Sequence, residues 1–438
     1  NVRAFMIPNP NVKRMKVKVV TSAAQTLTKT LNMANFKNSQ IHFAKLPKIK
    51  ASNLQFDYKI WLSQLDPNIY LSEISMPGSA LTFSYKLSED YQKTQTLNLK
   101  EQFENGIRVF QFHVTNDGQK VAVALPVTGT PMPKDGGGTW TINDVIDALH
   151  AEMTGLHKDE FCVVAISDWL QDGNKGLRDM IQLYQRLKVE IDEAGKRGLV
   201  ATNVTPNTTI ADVKGKVIFK IQLNGSESKY FNAWKELNGT DAWMNIFDEV
   251  ANTSVYYSQM PFKTVPATSA SGTSANVLSN NGMNFIYSEV ANPVQYSIRN
   301  GFYYTDGVKD CVTNVLAAYA NNYSSSEHRN FSMTYLGGQG TKKTLSSATY
   351  LPSKIAQDLN TIWLEYIRAN TQNTTDVLRT KPWGWVMLNR VGTEPTTSWC
   401  IEAVIRHNAD PVFKHQRRSE KARHSGDTQG TTNGGSIF

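Results

Sequence analysis

LKEQFENGIRVFQFHV, residues 99–114, changes its period halfway along. Leu99, Phe103 and Ile107 fall four apart, on one face of a helix; from Arg108 onward the chain alternates as a strand does. Working outward, the same switch recurs. Strands are predicted at 71–76, 108–114, 120–125, 161–167, 215–223, 255–259, 330–336 and 384–389. Helices are predicted at 99–107, 141–153 with Thr141 as N-cap, 177–195, near 308–320 and at 354–370. FCVVAIS (161–167) is an unbroken apolar run, the mark of a strand covered on both faces. Strands alternating with helices predict parallel βα units, and eight strands is the number that closes a (β/α) barrel. Chemistry in such a barrel belongs at the carboxyl ends of the strands.

The 438 residues are 40% hydrophobic and 19% charged, enough for a large core and unlike a disordered or collagen-like chain. No apolar run approaches the roughly 18 residues of a membrane-spanning helix. Cys162, Cys311 and Cys400 are odd in number and form no CxxC or metal spacing, so buried free thiols are expected, with no metal and no cofactor. A first residue of Asn1 rather than Met predicts removal of a preceding segment.

Charge is uneven. The net charge is +8, but residues 1–50 hold ten Lys or Arg and no Asp or Glu, which leaves −2 for the rest. Val17, Val19 and Val20 interleaved with Lys16 and Lys18 predict a strand in a solvated hairpin. No aromatic platform accompanies it, so no nucleic-acid partner is expected. The resulting divisions are a basic N-terminal extension (1–54), a barrel (55–413) with a loop insertion at 264–300, and a flexible basic tail (414–438).

SEISMPGSALT (72–82), TQT (94–96), LKEQFENGIRVFQFHV (99–114), GKVIFKIQ (215–222) and GWVMLN (384–389) together resemble the catalytic domain of phosphatidylinositol-specific phospholipase C, in its bacterial branch. The resemblance spans about residues 55–392 and rests on the joint order of the pieces. It implies a distorted TIM-like barrel with the site at its mouth. It also implies a two-histidine mechanism, in which one His acts as general base and another protonates the leaving oxygen. An Arg or calcium neutralises the phosphate and carboxylates orient these groups.

Carried across position by position, those roles fall on the wrong residues. The base His falls on Ala80 and its neighbouring Asp on Leu81. The Asp and Arg of the second strand fall on Gln111 and His113. The general-acid His belongs where Leu125 and Pro126 stand, the inositol-contacting Arg falls on Gln222, and the orienting Asp falls on Asn389. Pro77, Gly78, Gly106, Ile107, Arg108, Gly384, Trp385 and Val386 keep the frame. Ala and Leu cannot shuttle a proton, and Gln and Asn keep the carboxylate shape without its charge. The chain therefore reads as a catalytically inactive homologue.

No catalytic residue is assigned. Ligand-binding candidates at the mouth are His113, Gln111, Asp168, Gln222, Tyr256, Tyr335 and Asn389; Tyr257 and Trp169 are further stacking groups. His150 and His157 are expected at the surface, His407 in the trailing basic segment, and Arg108 opposite the mouth in a structural role. GGQG (337–340) reads as a loop. Three functions follow. One is a module holding a polyol, phosphorylated headgroup or glycan; another is an active phosphodiesterase with a relocated site; the third is a surface interaction protein. An extracytoplasmic bacterial setting with at most peripheral membrane contact is expected.

Overall fold

The structure, a computed structural model, describes residues 14–20, 26–32, 57–118, 120–125, 128–168, 177–201, 204, 207–222, 247–248, 275–280, 283–288, 330–337, 341–342, 349–410 and 413. β1 (Arg14–Val20) and β2 (Thr26–Asn32) form the antiparallel hairpin expected of the basic extension. The body follows as β3 (Met76–Ser79), α1 (Leu99–Glu104), β4 (Val109–Asp117), β5 (Lys120–Ala124), α2 (Ile142–Thr154) and β6 (Phe161–Asp168). Next come α3 (Leu177–Lys196), β7 (Lys216–Gln222), β8 (Phe247–Asp248), β9 (Ala275–Asn280), β10 (Met283–Ser288) and β11 (Asn330–Tyr335). A small antiparallel pair, β12 (Thr341–Lys342) and β13 (Thr349–Tyr350), precedes α4 (Pro352–Ala369), α5 (Val377–Thr380), β14 (Trp385–Leu388) and α6 (Pro395–His407). No described helix is long and apolar enough to cross a membrane.

The main sheet runs β8-β7-β6-β4-β3-β14-β11-β10-β9, with β5 added on β4. Every pairing from β8 to β10 is parallel; β9 on β10 and β5 on β4 are antiparallel. Among the described residues the parallel strands number eight, but two memberships differ from the expectation. Residues 120–125 form a hairpin return on β4, because Asn116-Asp117-Gly118 turns the chain and Gly118 sits at φ +61°. Residues 255–259 lie outside the described residues, as do 308–320, while β8 and β10 supply parallel strands. The 264–300 stretch read as loop contains β9 and β10. Residues 71–76 are corrected as well: Leu71–Glu73 is a 3-10 turn, closed by Tyr70 N–H to Glu73 Oε2 at 3.1 Å, and the strand begins at Met76.

Helices α1 and α2 start where the sequence supplies a cap. Asn98 accepts the Glu101 N–H at 3.0 Å and Glu101 accepts the Asn98 N–H at 2.9 Å. Thr141 and Asp144 repeat the reciprocal pair on α2. The helices cover the outer face, where Phe103 of α1 meets Phe110 of β4 with ring centroids 4.5 Å apart. The inner face carries Gly78, whose hypothetical Cβ would lie 2.5 Å from Met387 Sδ and 3.0 Å from Val109 Cβ. Only glycine lets β3, β14 and β4 approach this closely.

At the foot of the sheet Arg108 is fully buried against Glu160. Its Nε donates to Glu160 Oε2 at 2.8 Å, and one terminal nitrogen joins the same oxygen in a charge pair. The rest of the guanidinium donates to the carbonyls of Phe103 (2.9 Å), Ile107 (2.7 Å) and Lys59 (2.5 Å). Glu160 Oε1 accepts the N–H groups of Leu62 (2.6 Å) and Ser63 (3.2 Å). This is the structural role expected of Arg108. His157 is not at the surface but buried beside it, packed on Phe103 at 4.7 Å, with Nδ1 3.0 Å from Glu152 Oε2. Burial first and the Arg108 charge second hold its imidazole down at about 4. His407 is likewise no tail residue. It ends α6, is sandwiched between Trp383 (3.9 Å) and Phe413 (4.6 Å), and donates to the Lys381 carbonyl at 2.7 Å. Cys162 and Cys400 are buried free thiols; Cys311 lies outside the described residues.

Candidate functional site

The carboxyl ends of β3, β4, β6, β7, β11 and β14 lie together because their pairings are parallel. Side chains alternate along a strand, so register assigns each residue to a row. Val109, Gln111 and His113 follow the inner face defined by Gly78 and Met387. Gln111 pairs with Ala165 and Ala165 with Lys220; His113 pairs with Ser167 and Ser167 with Gln222. His113 and Gln222 thus stand at the same register position. Asp168 is one position out of that row, in register with Val114. Tyr256, Tyr257 and Trp169 lie outside the described residues.

Five of the positions singled out by the resemblance carry no ionisable side chain and are buried. Ala80, Leu81, Gln111, Leu125 and Asn389 are all buried. Leu81 N–H donates to Gln111 Oε1 at 2.9 Å, and Thr82 N–H donates to the Gln111 carbonyl at 2.9 Å. Gln111 is therefore committed to shaping the turn after β3. Leu125 closes a turn, donating to the Thr130 carbonyl at 3.0 Å. Asn389 lies across the end of β11, where a Cβ on Gly337 would fall 2.3 Å from its Cγ. Tyr335 is in register with Met387 and buried, part of the core rather than an open stacking face. Gln111, Tyr335 and Asn389 are buried, whereas His113 is half-exposed.

Three residues of the quoted segments, given no role there, complete this end. Gln95 Nε2 donates to the carbonyls of Ala80 (2.9 Å) and Leu388 (2.8 Å), and its Oε1 accepts the Val391 N–H at 3.2 Å. It ties the ends of β3 and β14 together. Thr94 Oγ1 donates to the Ala80 carbonyl at 2.9 Å. Lys220 is a buried lysine in the row of Gln111. None has a periodic signal in sequence, since each acts through contacts distant along the chain.

Backbone strain concentrates here too. The described non-glycine residues at positive φ are Leu81 (49°) and Arg390 (56°), and they follow the neighbouring strands β3 and β14. Each such residue costs roughly 1–3 kcal/mol, and strain of this kind clusters at functional sites. Among the described residues no group of three or more His, Cys, Asp or Glu is placed to hold a metal ion. The network offers donors and acceptors of fixed direction, but Ala80 and Leu81 bring no ionisable group to it.

No protein-family model matches the chain, and no curated protein matches it in sequence. Solved structures do match in shape. A mutant phosphatidylinositol-specific phospholipase C from Staphylococcus aureus superposes with TM-score 0.53 at 15% identity, covering 80% of this chain and 98% of that one. A double mutant of the same enzyme gives TM-score 0.54 at 15% identity, covering 80% and 97%. A third structure of it, concerned with modulation of membrane binding, gives 0.53 at 15% identity over 80% and 97%. The chain therefore has the fold of a bacterial phosphatidylinositol-specific phospholipase C, an α/β distorted TIM-like barrel.

Proposed function

We propose that this protein is a non-hydrolysing member of the phospholipase C fold, whose barrel mouth holds a polyol, a phosphorylated headgroup or a glycan without cleaving it. The observation that carries this reading is the Leu81–Gln111 hydrogen bond. Where the hydrolase pattern needs an imidazole beside carboxylates, this chain has Ala80, Leu81 and a glutamine already occupied by backbone. General acid–base catalysis needs a group that gains and loses a proton near the working pH, typically worth about 10²–10⁴ in rate. The kept strain and the Gln95 tie support a mouth held in shape for recognition. His113 is the polar group best placed to touch a ligand, with Gln222 in its row. An extracytoplasmic bacterial setting, with transient contact to a lipid surface, fits the basic first 50 residues and the membrane-binding relative.

Two measurements test it. Incubation with phosphatidylinositol and glycerophosphodiesters, with and without calcium, should give no turnover. Calorimetry with inositol, inositol phosphates and short glycans should detect binding that weakens in His113→Ala. Turnover lost in His113→Ala would instead establish a relocated active site.

A further inference from the structure

Arg390 has no part in the binding reading. Arg390 stands in the β14–α6 loop, directly after Asn389, with φ at 56°. Its backbone is pinned from both sides. Its N–H donates to the Thr94 carbonyl at 2.7 Å, and its own carbonyl accepts the N–H groups of Thr393 (3.1 Å) and Glu394 (3.0 Å). Glycine would occupy this left-handed position without strain, whereas a long side chain does so at a cost. The backbone thus gives no reason for arginine here; any reason lies in the side chain.

That side chain is half-buried, and its Nε is buried without a hydrogen-bond acceptor among the described residues. The carboxylates whose charge reaches it, Asp90 and Glu394, have other contacts. Asp90 pairs with Lys93 at 3.4 Å, and Glu394 accepts from Thr396 N–H (3.4 Å) and Oγ1 (3.3 Å) at the start of α6. Among the described residues no carboxylate comes within ion-pair distance of Arg390. A guanidinium matches an oxyanion through paired N–H donors, and partial burial strengthens that match.

We propose that Arg390 is an anion-recognition residue, binding the phosphate of a phosphorylated polyol. This proposal rests on the binding-module reading and narrows its ligand to an anionic one. The anion is held at the rim, outside the neutral network of Gln111 and Gln95, so recognition of charge and shaping of the mouth are divided between different residues.

The test is calorimetry on the full chain with myo-inositol 1-phosphate, myo-inositol, inorganic phosphate and phosphatidylinositol vesicles. The wild type should bind inositol phosphate at least tenfold more tightly than inositol, with an affinity that falls as salt rises. Arg390→Gly should lose that tenfold preference while its melting temperature stays level or rises, because glycine relieves the backbone. Arg390→Gln, which keeps size without charge, should lose it as well, and Arg390→Lys should retain part. Preference for free inositol phosphate over vesicles would mark a soluble ligand, and the reverse a lipid headgroup; either supports the role of Arg390. Equal wild-type binding of inositol and inositol phosphate, or an unchanged preference in both Arg390→Gly and Arg390→Gln, would overturn the inference while leaving the polyol reading intact. Binding of no polyol, phosphate or glycan would overturn both.

Discussion

Glu160→Gln should destabilise the fold by about 3–5 kcal/mol, the usual cost of leaving a buried charge without its partner. Glu160 accepts four N–H groups: Leu62 and Ser63 on one oxygen, and two from Arg108 on the other. Glutamine retains one acceptor oxygen. Its amide nitrogen then faces the Arg108 donors, placing N–H against N–H around a cation with 0% side-chain exposure. The three carbonyls of Phe103, Ile107 and Lys59 remain, but they supply no countercharge. Arg108→Met should cost a similar amount by stranding the carboxylate. The double variant Arg108→Met/Glu160→Gln should recover at least about 2 kcal/mol of the summed loss, since it removes the uncompensated charge. Urea unfolding followed by tryptophan fluorescence reads all three. Single losses under about 1 kcal/mol, or strict additivity in the double variant, would refute the view that this pair locks the foot of the barrel.

Gly78→Ala should lose about 1–3 kcal/mol by overpacking, because its Cβ would meet Met387 Sδ at 2.5 Å; Met387→Ala in the same chain should relieve the clash, as thermal melts would show. Stability should fall as pH drops from about 6.5 towards 4. His157 is neutral in the fold with its value near 4, so the unfolded chain binds the proton first, at a cost approaching ~3 kcal/mol. Glu152, raised by burial, opposes this at the acid end. His157→Gln should flatten that part of the stability profile if the assignment holds. Cys162 and Cys400, fully buried with burial pushing both thiols up, should resist alkylation in the native state and react on unfolding, as peptide mass spectrometry would reveal.

The barrel was legible because its signals are local. The four-residue spacing of Leu99, Phe103 and Ile107, the capping Thr141 and the run at 161–167 each reflect neighbours along the chain. What was missed is set by distant contacts. His157 carries no apolar pattern of its own and is buried because Arg108 and Phe103 close over it. Residues 120–125 look like any parallel strand until the Asn116-Asp117-Gly118 turn is weighed. At the mouth the resemblance directs attention to Ala80, Leu81 and Gln111 by position alone. Their burial and the Leu81–Gln111 hydrogen bond were not legible, since they depend on how the turn after β3 folds onto β4. Arg390 escaped notice for the same reason: its left-handed backbone follows from a hydrogen bond to Thr94, nearly three hundred residues earlier.

The pairing of β3 with β14 has a consequence for how the chain is made. Met76 lies in register with Trp385, and Asn408 grips Ser75 through its Oδ1 at 2.9 Å and its Nδ2 at 2.8 Å. During synthesis, everything from β3 to β11 leaves the ribosome with this seam still open and the edge of Pro77-Gly78 bare. Joining ends so far apart is slow, and exposed strand edges invite aggregation meanwhile. Nascent chains stalled before residue 385 should therefore depend on chaperones in a way the finished protein does not.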